Sequence, residues 1–376
     1  MLVENHLKVN MKKLKIIISG GGTGGHIFPA LAIAKSIEKK VSNVQFLFVG
    51  ANDRMEMEKI PSEGYKIIGL WISGLQRGFD RKNILFPFKV IHSLIKAKRI
   101  VKKFNPDLAI GTGGYASAPL IYVATKMGVP SIIQEQNSYP GITNKILSRY
   151  VQKVCVAYDG MERFFSNEKI IFTGNPVRRE ILGFENKRDV GYQQFDIDDT
   201  KKTVLVIGGS LGASSINNAI AENIDLFKEI GVNLIWQTGN SFVKKSNECI
   251  KNLNIKGVNA YSFIKEMDNA YATADIIVSR AGAIAISELC CIGKPVILIP
   301  SPNVAENHQY KNAQSLVNKN AALLVEDSEA NGKLVYVIED LLKNDKLKVS
   351  LSSNIKKIAV INAADKIAKI ALALVK

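Results

Sequence analysis

Short apolar runs alternate with longer amphipathic stretches along this chain. The runs have the length and β-branched content of buried strands, whereas the stretches repeat apolar residues at helical spacing. Strands are predicted at Lys15–Ser19, Gln45–Val49, Leu108–Ile110, Ser131–Gln134, Lys153–Ala157, Thr203–Ile207, Leu234–Gln237, Ile276–Ser279 and Pro295–Ile299, and helices at Pro29–Lys40, Pro87–Phe104 and Ala118–Met127. Such alternation is typical of parallel sheets joined by crossover helices.

Two parts of the chain begin alike, with an apolar strand, a glycine cluster and a helix. The glycines lie at 20–25 and again at 208–212, and the polar stretch Phe184–Lys202 between the two parts is predicted to be a loop or linker. We therefore predict an α/β fold of two Rossmann-like domains with parallel sheets and a ligand cleft between the carboxyl ends of their strands. The predicted domains are residues 1–180 and 181–354, followed by a terminal helix at 355–376.

Positive charge is concentrated in the first predicted domain. The chain has 376 residues and a formal net charge of +16, and residues 1–180 hold 27 of its 50 basic residues but only 13 of its 34 acidic ones. This excess favours an anionic partner, which could be nucleic acid, a phospholipid surface or a phosphorylated substrate. Nucleic acid is disfavoured because no helix-turn-helix, zinc or RNA-binding signature accompanies the charge.

The charge peaks around a predicted amphipathic helix. Lysines and arginines flank its apolar positions between Lys89 and Phe104, and the apolar segment Ile84–Phe88 precedes them. A basic amphipathic helix beside exposed aromatic residues is typical of a protein that rests on an anionic bilayer. The pattern also fits an ordinary domain helix with solvated lysines, which is the favoured interpretation of an isolated helix.

The first glycine cluster suits a ligand that carries phosphate. Glycines let the backbone approach a ligand closely, and the helix that follows offers N–H donors to negative charge. Gly20, Gly22 and Gly25 formally satisfy the dinucleotide motif G-x-G-x-x-G. Asp53, the candidate ribose acid, lies 28 residues beyond Gly25 rather than about 20, which weakens that interpretation. A tight turn without a ligand is the plain alternative.

Two titratable residues are candidates for the chemistry. His26 ends the first glycine loop, and an imidazole there suits a general base that takes a proton from an attacking hydroxyl, with a structural histidine as the alternative. Glu288 lies one turn into a predicted helix, where it can accept hydrogen bonds from paired sugar hydroxyls or serve as a helix-terminal acid. No set of His, Cys, Asp or Glu residues has the spacing of a metal site.

Seven motifs in one order connect the chain with a known family. They are Gly21–Ala32, Gly111–Pro119, Glu135–Lys145, Thr173–Arg178, Gly208–Ala213, Ser279–Glu288 and His308–Ala313. On these motifs the chain resembles the MurG family of peripheral membrane glycosyltransferases, which make the final lipid-linked precursor of bacterial peptidoglycan. Leu211, Ala281 and Ala285 depart from the commonest residues of the motifs, so contacts there are expected from the main chain.

The resemblance implies a GT-B fold whose C-terminal helix crosses back to the first domain. It implies an inverting transfer of N-acetylglucosamine (GlcNAc) from UDP-GlcNAc to the C4 hydroxyl of the muramyl sugar of undecaprenyl-pyrophosphoryl-MurNAc-pentapeptide, with no metal or other cofactor. The implied location is the cytoplasmic face of the plasma (inner) membrane, on an anionic lipid surface, with other cell-wall synthesis proteins as further partners. The alternatives are another GT-B enzyme, such as a lipid galactosyltransferase or a UDP-sugar epimerase, or a nucleotide-sugar sensor without turnover.

The resemblance also implies roles for individual residues. His26 is the implied base, and Gly113, Gly114 and Tyr115 would form a pocket for the acceptor pyrophosphate. The backbone at Ile264 would contact uracil. The complete implied donor site is Thr23, Gly24, Gly25, Asn137, Arg178, Ser210, Ile264, Ala283, Ile284, Ala285, Ile286, Ser287, Glu288 and Gln309.

Within that donor site the side chains divide by chemistry. Glu288 would accept from the ribose hydroxyls, while Gln309 and Asn137 would bind the sugar. Arg178 and Ser210 would serve the donor pyrophosphate, and the planar guanidinium of an arginine pairs phosphate oxygens in a fixed geometry.

Overall fold

The computed structural model describes residues 13–74, 84–178, 181–209, 211–253 and 256–375. In these residues the chain forms two α/β lobes. The sheet of the first lobe has the strand order β3-β2-β1-β4-β5-β6-β7, and each neighbouring pair is parallel. Its elements are β1 (Leu14–Ser19), α1 (Gly24–Glu38), β2 (Val44–Ala51), α2 (Glu56–Ser62), β3 (Ile67–Leu70), α3 (Phe86–Phe104), β4 (Leu108–Gly111), α4 (Ser117–Lys126), β5 (Ser131–Glu135), α5 (Ile142–Leu147), β6 (Lys153–Val156) and β7 (Ile170–Phe172).

The second lobe repeats the plan with a six-stranded parallel sheet of order β10-β9-β8-β11-β12-β13. Its elements are α6 (Arg188–Gln194), β8 (Thr203–Ile207), α7 (Ser214–Glu222), α8 (Ile224–Ile230), β9 (Asn233–Gln237), α9 (Val243–Leu253), β10 (Val258–Tyr261), α10 (Met267–Thr273), β11 (Ile276–Ser279), α11 (Ala283–Ile292), β12 (Val296–Leu298), α12 (His308–Val317), β13 (Leu323–Leu324), α13 (Ala330–Lys343) and α14 (Asp345–Ile358). The predicted pair of Rossmann-like sheets is confirmed.

The central strands are buried on both faces, as expected when helices cover both sides of a parallel sheet. In β1, Ile16 and Ile18 pack in the layer that contains α1, and Ile17 packs in the opposite layer with α3 and α4. Alternate residues of β8 divide in the same way between two apolar layers. This double burial explains why these strands stand out in the sequence as continuous apolar runs.

Every predicted strand is present within one or two residues, but four further strands went unpredicted. These are β3, β7, β10 and β13, and each of them lies at an edge of its sheet. They are two to four residues long, and at least half of the residues of each are partly or fully exposed. A short strand with one partner lacks the continuous apolar run by which buried strands are recognised.

The prediction of a plain loop at Phe184–Lys202 was wrong. The segment contains a 3-10 turn at Phe184–Lys187 followed directly by α6. Phe184 and Phe195 are buried in the core of the second lobe and anchor both ends of this region. The two aromatic anchors are too widely spaced to produce a helical period in a polar sequence.

The C-terminal segment returns to the first lobe, as the resemblance implied. Helix α15 (Ala363–Leu372) packs on α1 and buries Ile367, Ala368 and Ala371 in the core of the first lobe. The helix predicted to begin at Ile355 is divided, because Ile355 belongs to α14 and is buried in the second lobe. The backbone becomes extended at Ala359, which allows the chain to pass between lobes before α15 begins.

Helix α3 confirms the predicted amphipathic helix of the basic region. Its buried face comprises Ser93, Ala97, Ile100 and Val101. Neither α3 nor any other helix in the described part of the chain combines the length and the apolar content needed to cross a membrane.

Candidate active site

The two glycine loops of the first lobe lie side by side at the carboxyl edge of its sheet. Strands β1 and β4 are neighbours, and Ser19 pairs with Gly111 where the strands end. Gly114, with φ +80°, brings its Cα so close to the first loop that a Cβ there would lie 2.2 Å from the carbonyl oxygen of Gly21. Only glycine permits both the left-handed backbone and this approach.

Substituting Gly114 by alanine is expected to lower the free energy of unfolding by about 2–4 kcal/mol, since backbone strain adds to the steric clash. Gly128→Ala is the matched control, because Gly128 has φ +81° but open space within 4 Å of the point where the new methyl group would lie. That control is expected to cost only about 1 kcal/mol. Urea unfolding of both variants measures the difference, and equal losses would contradict the close-packing argument.

A buried carboxylate holds the first glycine loop. The Glu56 side chain accepts hydrogen bonds from the backbone N–H of Gly22 at 2.9 Å and of Ala51 at 3.0 Å. Glu56 is fully buried, so these bonds satisfy a charge that would otherwise be costly to desolvate. Sequence analysis missed this role, because Glu56 begins a separate helix, α2, after β2.

His26 lies in the first turn of α1 with its ring turned toward the second loop. Its Nδ1 atom is 3.0 Å from the carbonyl oxygen of Thr112 and 3.0 Å from Oε1 of Gln136. Gln136 donates through Nε2 to the carbonyl oxygen of Thr112 at 2.7 Å, which fixes Oε1 as its acceptor. Because both partners of Nδ1 are acceptors, Nδ1 carries the proton of the neutral imidazole and Nε2 keeps its lone pair.

The electrostatics of His26 suit a base. Burial lowers the pKa of His26, and the hydrogen bonds that His26 donates to Gln136 and Thr112, together with the Glu56 charge, only partly oppose that effect. The neutral form therefore persists below the ordinary pKa of 6.5. A neutral imidazole with a free Nε2 lone pair can accept a proton from a hydroxyl.

The loop after β5 is organised by Glu135. Its carboxylate accepts from the Asn137 N–H at 3.0 Å, the Asn144 Nδ2 at 2.8 Å and the Gly141 N–H at 3.2 Å. Burial raises the pKa of Glu135, and these hydrogen bonds oppose that rise. The arrangement fixes the position of Asn137, one of the predicted sugar-binding residues.

Hydrogen bonds from the second lobe reach the same loop. Asn312 of α12 is fully buried, and its Oδ1 accepts from the backbone N–H of Ser138 at 2.9 Å and from the Ser138 hydroxyl at 3.0 Å. Its Nδ2 donates to Oδ1 of Asn137 at 3.1 Å. Asn312 therefore joins the lobes and orients the Asn137 amide.

Arg178 and Glu288 pair with each other in a two-point contact. Arg178 donates from Nε to Oε1 of Glu288 at 2.7 Å and from Nη2 to Oε2 at 2.9 Å. The Glu288 side chain is 6% exposed and the Arg178 side chain 40% exposed. The family motifs assign these residues to different parts of the donor, whereas the structure places them in one ion pair.

The remaining predicted donor residues occupy the carboxyl edges of the two sheets. Thr23 is the N-cap of α1, with Gly24 and Gly25 in its first turn, and Ala283, Ile284, Ala285, Ile286 and Ser287 form the first turns of α11 before Glu288. The N–H of Ile264 donates to Oε1 of Gln237 at 3.0 Å, and Gln309 accepts from the Ser301 N–H at 2.9 Å. Ser210 lies outside the described residues.

Sequence reasoning missed several residues that hold these groups in place. Gln237 connects the second glycine cluster to the Ile264 loop, since its Nε2 donates to the carbonyl oxygen of Gly209 at 3.0 Å. Gln134 and Gln136 alternate at the end of a buried strand, which is a signal that two amides share one face. Asn175 lies within a motif noted above, but its partners could not be identified before the fold was known.

Two family models match the chain. The glycosyltransferase family 28 N-terminal domain matches residues 16–156, and the glycosyltransferase family 28 C-terminal domain matches residues 203–368. The UDP-N-acetylglucosamine–N-acetylmuramyl-(pentapeptide) pyrophosphoryl-undecaprenol N-acetylglucosamine transferase of Flavobacterium psychrophilum is 49% identical over 94% of this chain and 95% of its own length. The protein of the same name from Cytophaga hutchinsonii is 50% identical over 95% of each chain.

Solved structures share the fold of this chain. The crystal structure of Acinetobacter baumannii MurG is 28% identical, with a TM-score of 0.77 over 96% of this chain and 99% of that one. A UDP-GlcNAc 2-epimerase from Neisseria meningitidis shares the fold at 15% identity and a TM-score of 0.68, over 96% of this chain and 100% of that one. With two matched domains, close relatives over nearly the whole length and the GT-B architecture, the chain belongs to glycosyltransferase family 28 and, within it, to the MurG N-acetylglucosamine transferases.

Proposed function

We propose that this protein transfers GlcNAc from UDP-GlcNAc to the C4 hydroxyl of the muramyl sugar of undecaprenyl-pyrophosphoryl-MurNAc-pentapeptide, with inversion at the anomeric carbon. The observation that carries the proposal is a set of hydrogen bonds at the predicted site, two of which join the lobes: Asn312 donates to Asn137, Arg178 pairs with Glu288, and His26 bonds to Gln136 of the Asn137 loop. The reaction would serve peptidoglycan synthesis and, through the cell wall, cell shape and division.

In this proposal the lobes divide the substrates between them. The first, residues 1–180, binds the lipid-linked acceptor at Gly113, Gly114 and Tyr115. The second, residues 181–354, binds the donor. His26 is then the base that removes the proton of the C4 hydroxyl. The C4 oxygen attacks the anomeric carbon from the face opposite UDP, and UDP departs.

The departing UDP needs stabilisation of the negative charge that develops on its pyrophosphate. Helix α11 has Gly282 at its N-cap and no acidic residue in its first turn, so its N–H groups are available to an anion. Helix α1 likewise begins after Thr23 without an acid in its first turn. Two helix N-termini that meet a pyrophosphate supply the charge stabilisation in this mechanism.

The decisive assay supplies labelled UDP-GlcNAc with the lipid-linked muramyl pentapeptide in detergent micelles. We expect GlcNAc to appear in the lipid product only when that acceptor is present. Transfer to diacylglycerol, or conversion of UDP-GlcNAc without any acceptor, would contradict the proposal and favour another enzyme with this fold. UDP binding without turnover would favour a sensor.

We further propose that the first lobe docks on the cytoplasmic face of the plasma membrane through α3. Exposed apolar residues follow one side of this helix and the turn before it, and exposed basic residues continue that side toward its C-terminus. The apolar residues are Ile84, Leu85, Phe88, Ile91 and Ile95, and the basic ones are Lys98, Arg99 and Lys102. Apolar insertion combined with basic contacts to headgroups is how amphipathic helices hold an anionic bilayer.

Phe88→Ser is expected to weaken binding to phosphatidylglycerol vesicles about tenfold, because the exposed ring would lose its place in the bilayer. Vesicle sedimentation measures the partition. The matched control is Val349→Ser on α14 of the second lobe, since Val349 is 70% exposed and Phe88 is 63% exposed. Equal binding by the Phe88 variant and the wild type would exclude α3 as the docking surface.

A further inference from the structure

A continuous line of hydrogen bonds leads from His26 in the first lobe to α11 in the second. The Nδ1 of His26 contacts Oε1 of Gln136 at 3.0 Å, and Nε2 of Gln136 donates to Oε1 of Gln134. Gln134 then donates from Nε2 to Oδ1 of Asn175 at 2.8 Å. Asn175 donates from Nδ2 to the Ser287 hydroxyl at 3.0 Å, and that hydroxyl donates to the carbonyl oxygen of Ala283 at 2.9 Å.

The bonds of this line all point the same way. Main-chain carbonyls fix the amide orientations, because Gln136 also donates to the carbonyl oxygen of Thr112, and Asn175 to the carbonyl oxygen of Gln136. Each group therefore accepts from the His26 side and donates toward the second lobe. The negative ends of the amide dipoles face His26, and their positive ends face α11.

The three middle residues of the line are shielded from water, whereas His26 and Ser287 at its ends are partly exposed. Gln134 is 0% exposed, and Gln136 and Asn175 are each 2% exposed. In a surrounding of low polarity, hydrogen bonds that point in one direction polarise and strengthen one another. A change of charge at one end is then felt at the other more strongly than through bulk water.

We propose that Gln136, Gln134, Asn175 and Ser287 form a relay that holds His26 in its Nδ1–H tautomer and through which donor binding at α11 raises the proton affinity of His26. The inference rests on the proposed role of His26 as the general base. The four residues are positioning residues, since they act on the base and not on the substrate. The pyrophosphate of the donor would lie at the positive end of the relay and so increase the negative potential at Nδ1.

The relay links occupancy of one lobe to chemistry in the other. Without donor, burial keeps His26 a weak base. The charged group that acts on His26 in this state is Glu56, which partly opposes the effect of burial. With donor bound, His26 becomes a stronger base when a sugar is available for transfer. An enzyme built this way activates the acceptor hydroxyl only in the complete complex.

Nitrogen-15 NMR of the full-length protein labelled at histidine tests the inference directly. The chain has four histidines, and the spectrum of His26→Asn identifies the His26 signals. We expect the Nδ1–H tautomer in the free protein and an upward shift of the His26 titration midpoint when UDP saturates the site. An Nε2–H tautomer in the wild type would overturn the inference.

Ser287→Ala removes the last side chain of the relay, and we expect it to lose roughly half or more of the UDP-induced shift. The matched control is Ser315→Ala. Ser315 and Ser287 line one small cavity between the lobes, but the Ser315 hydroxyl donates to the carbonyl oxygen of Asn312, outside the relay. The direct field of UDP is the same in both variants. A shift of wild-type size in Ser287→Ala would overturn the inference.

Gln134→Met is a second interruption, similar in volume and at the middle of the relay. We expect this variant to lose the UDP-induced shift of the His26 titration midpoint. Thermal unfolding of the variant checks that it is folded. GlcNAc transfer by the wild-type sample is measured separately. A relay response without transfer to the muramyl acceptor would refute the proposed function alone, and transfer without a relay response would refute the relay alone.

Discussion

His26→Asn is expected to lower kcat by about 10²–10⁴-fold, the usual contribution of a general base. Asparagine can place its amide nitrogen near the position of Nδ1, so the hydrogen bonds to Thr112 and Gln136 can be kept. It has no group at the position of Nε2 that can accept a proton. The substitution therefore removes the base with little change to its surroundings, and UDP affinity should stay within about twofold of the wild type.

The pH dependence separates a base from a structural histidine. Because burial lowers the pKa of His26 in the free enzyme, wild-type kcat/KM for UDP-GlcNAc should stay level as the pH falls through 6.5 and decline only below it. The decline reflects protonation of Nε2, which removes the lone pair. His26→Asn should lose this acid limb along with its activity.

His92→Asn provides the matched control. His92 is an exposed histidine of α3 whose ring packs edge-on against Trp71, away from the cleft. Its substitution should leave both kcat and the pH profile unchanged in micelles. A His26→Asn enzyme with wild-type kcat would assign the reaction to another base.

The sequence predicts the centre of each sheet better than its edges, for a physical reason. Strands such as β1 and β8 are covered on both faces, so burial imposes a continuous apolar run that is visible in the sequence. The edge strands β3 and β13 are held by one neighbour and are partly exposed, so no such run is imposed on them. Phe184 and Phe195 show the same limit in the linker, where isolated aromatic residues anchor a helix that has no other apolar face.

The site also contains residues that the sequence predicts and residues that it does not. Glycine loops follow strands by local rules, so the positions of Gly113, Gly114 and the first cluster could be predicted with the topology. The contacts of Glu56, Asn175 and Asn312 join elements 34 to 174 residues apart, and no local pattern encodes such partners. These residues act on the predicted ones and not on a ligand directly, so spacing and composition do not identify them.

The Arg178–Glu288 pair leads to the second large effect, on donor affinity. Arg178→Gln is expected to raise the Kd for UDP about 30-fold, the equivalent of about 2 kcal/mol for a lost bond to a charged group. The loss has two sources, since Arg178 both faces the cleft and fixes the Glu288 carboxylate at two points. Glu288→Gln should weaken UDP binding by a similar factor, because an amide cannot accept at both oxygens.

The double variant shows whether the two residues act as one unit. If Arg178 acts mainly by orienting Glu288, the double variant should bind UDP little worse than either single variant, with about 1–2 kcal/mol of coupling by calorimetry. Additive losses would mean instead that each residue holds its own part of the donor. Arg188→Gln is the matched control, because Arg188 pairs with Asp275 at 3.1 Å with 39% and 17% of the side chains exposed, away from the cleft. It should leave UDP affinity unchanged, so that a shared loss in the Arg178 and Glu288 variants can be assigned to the pair itself and not to a general weakening of the second lobe.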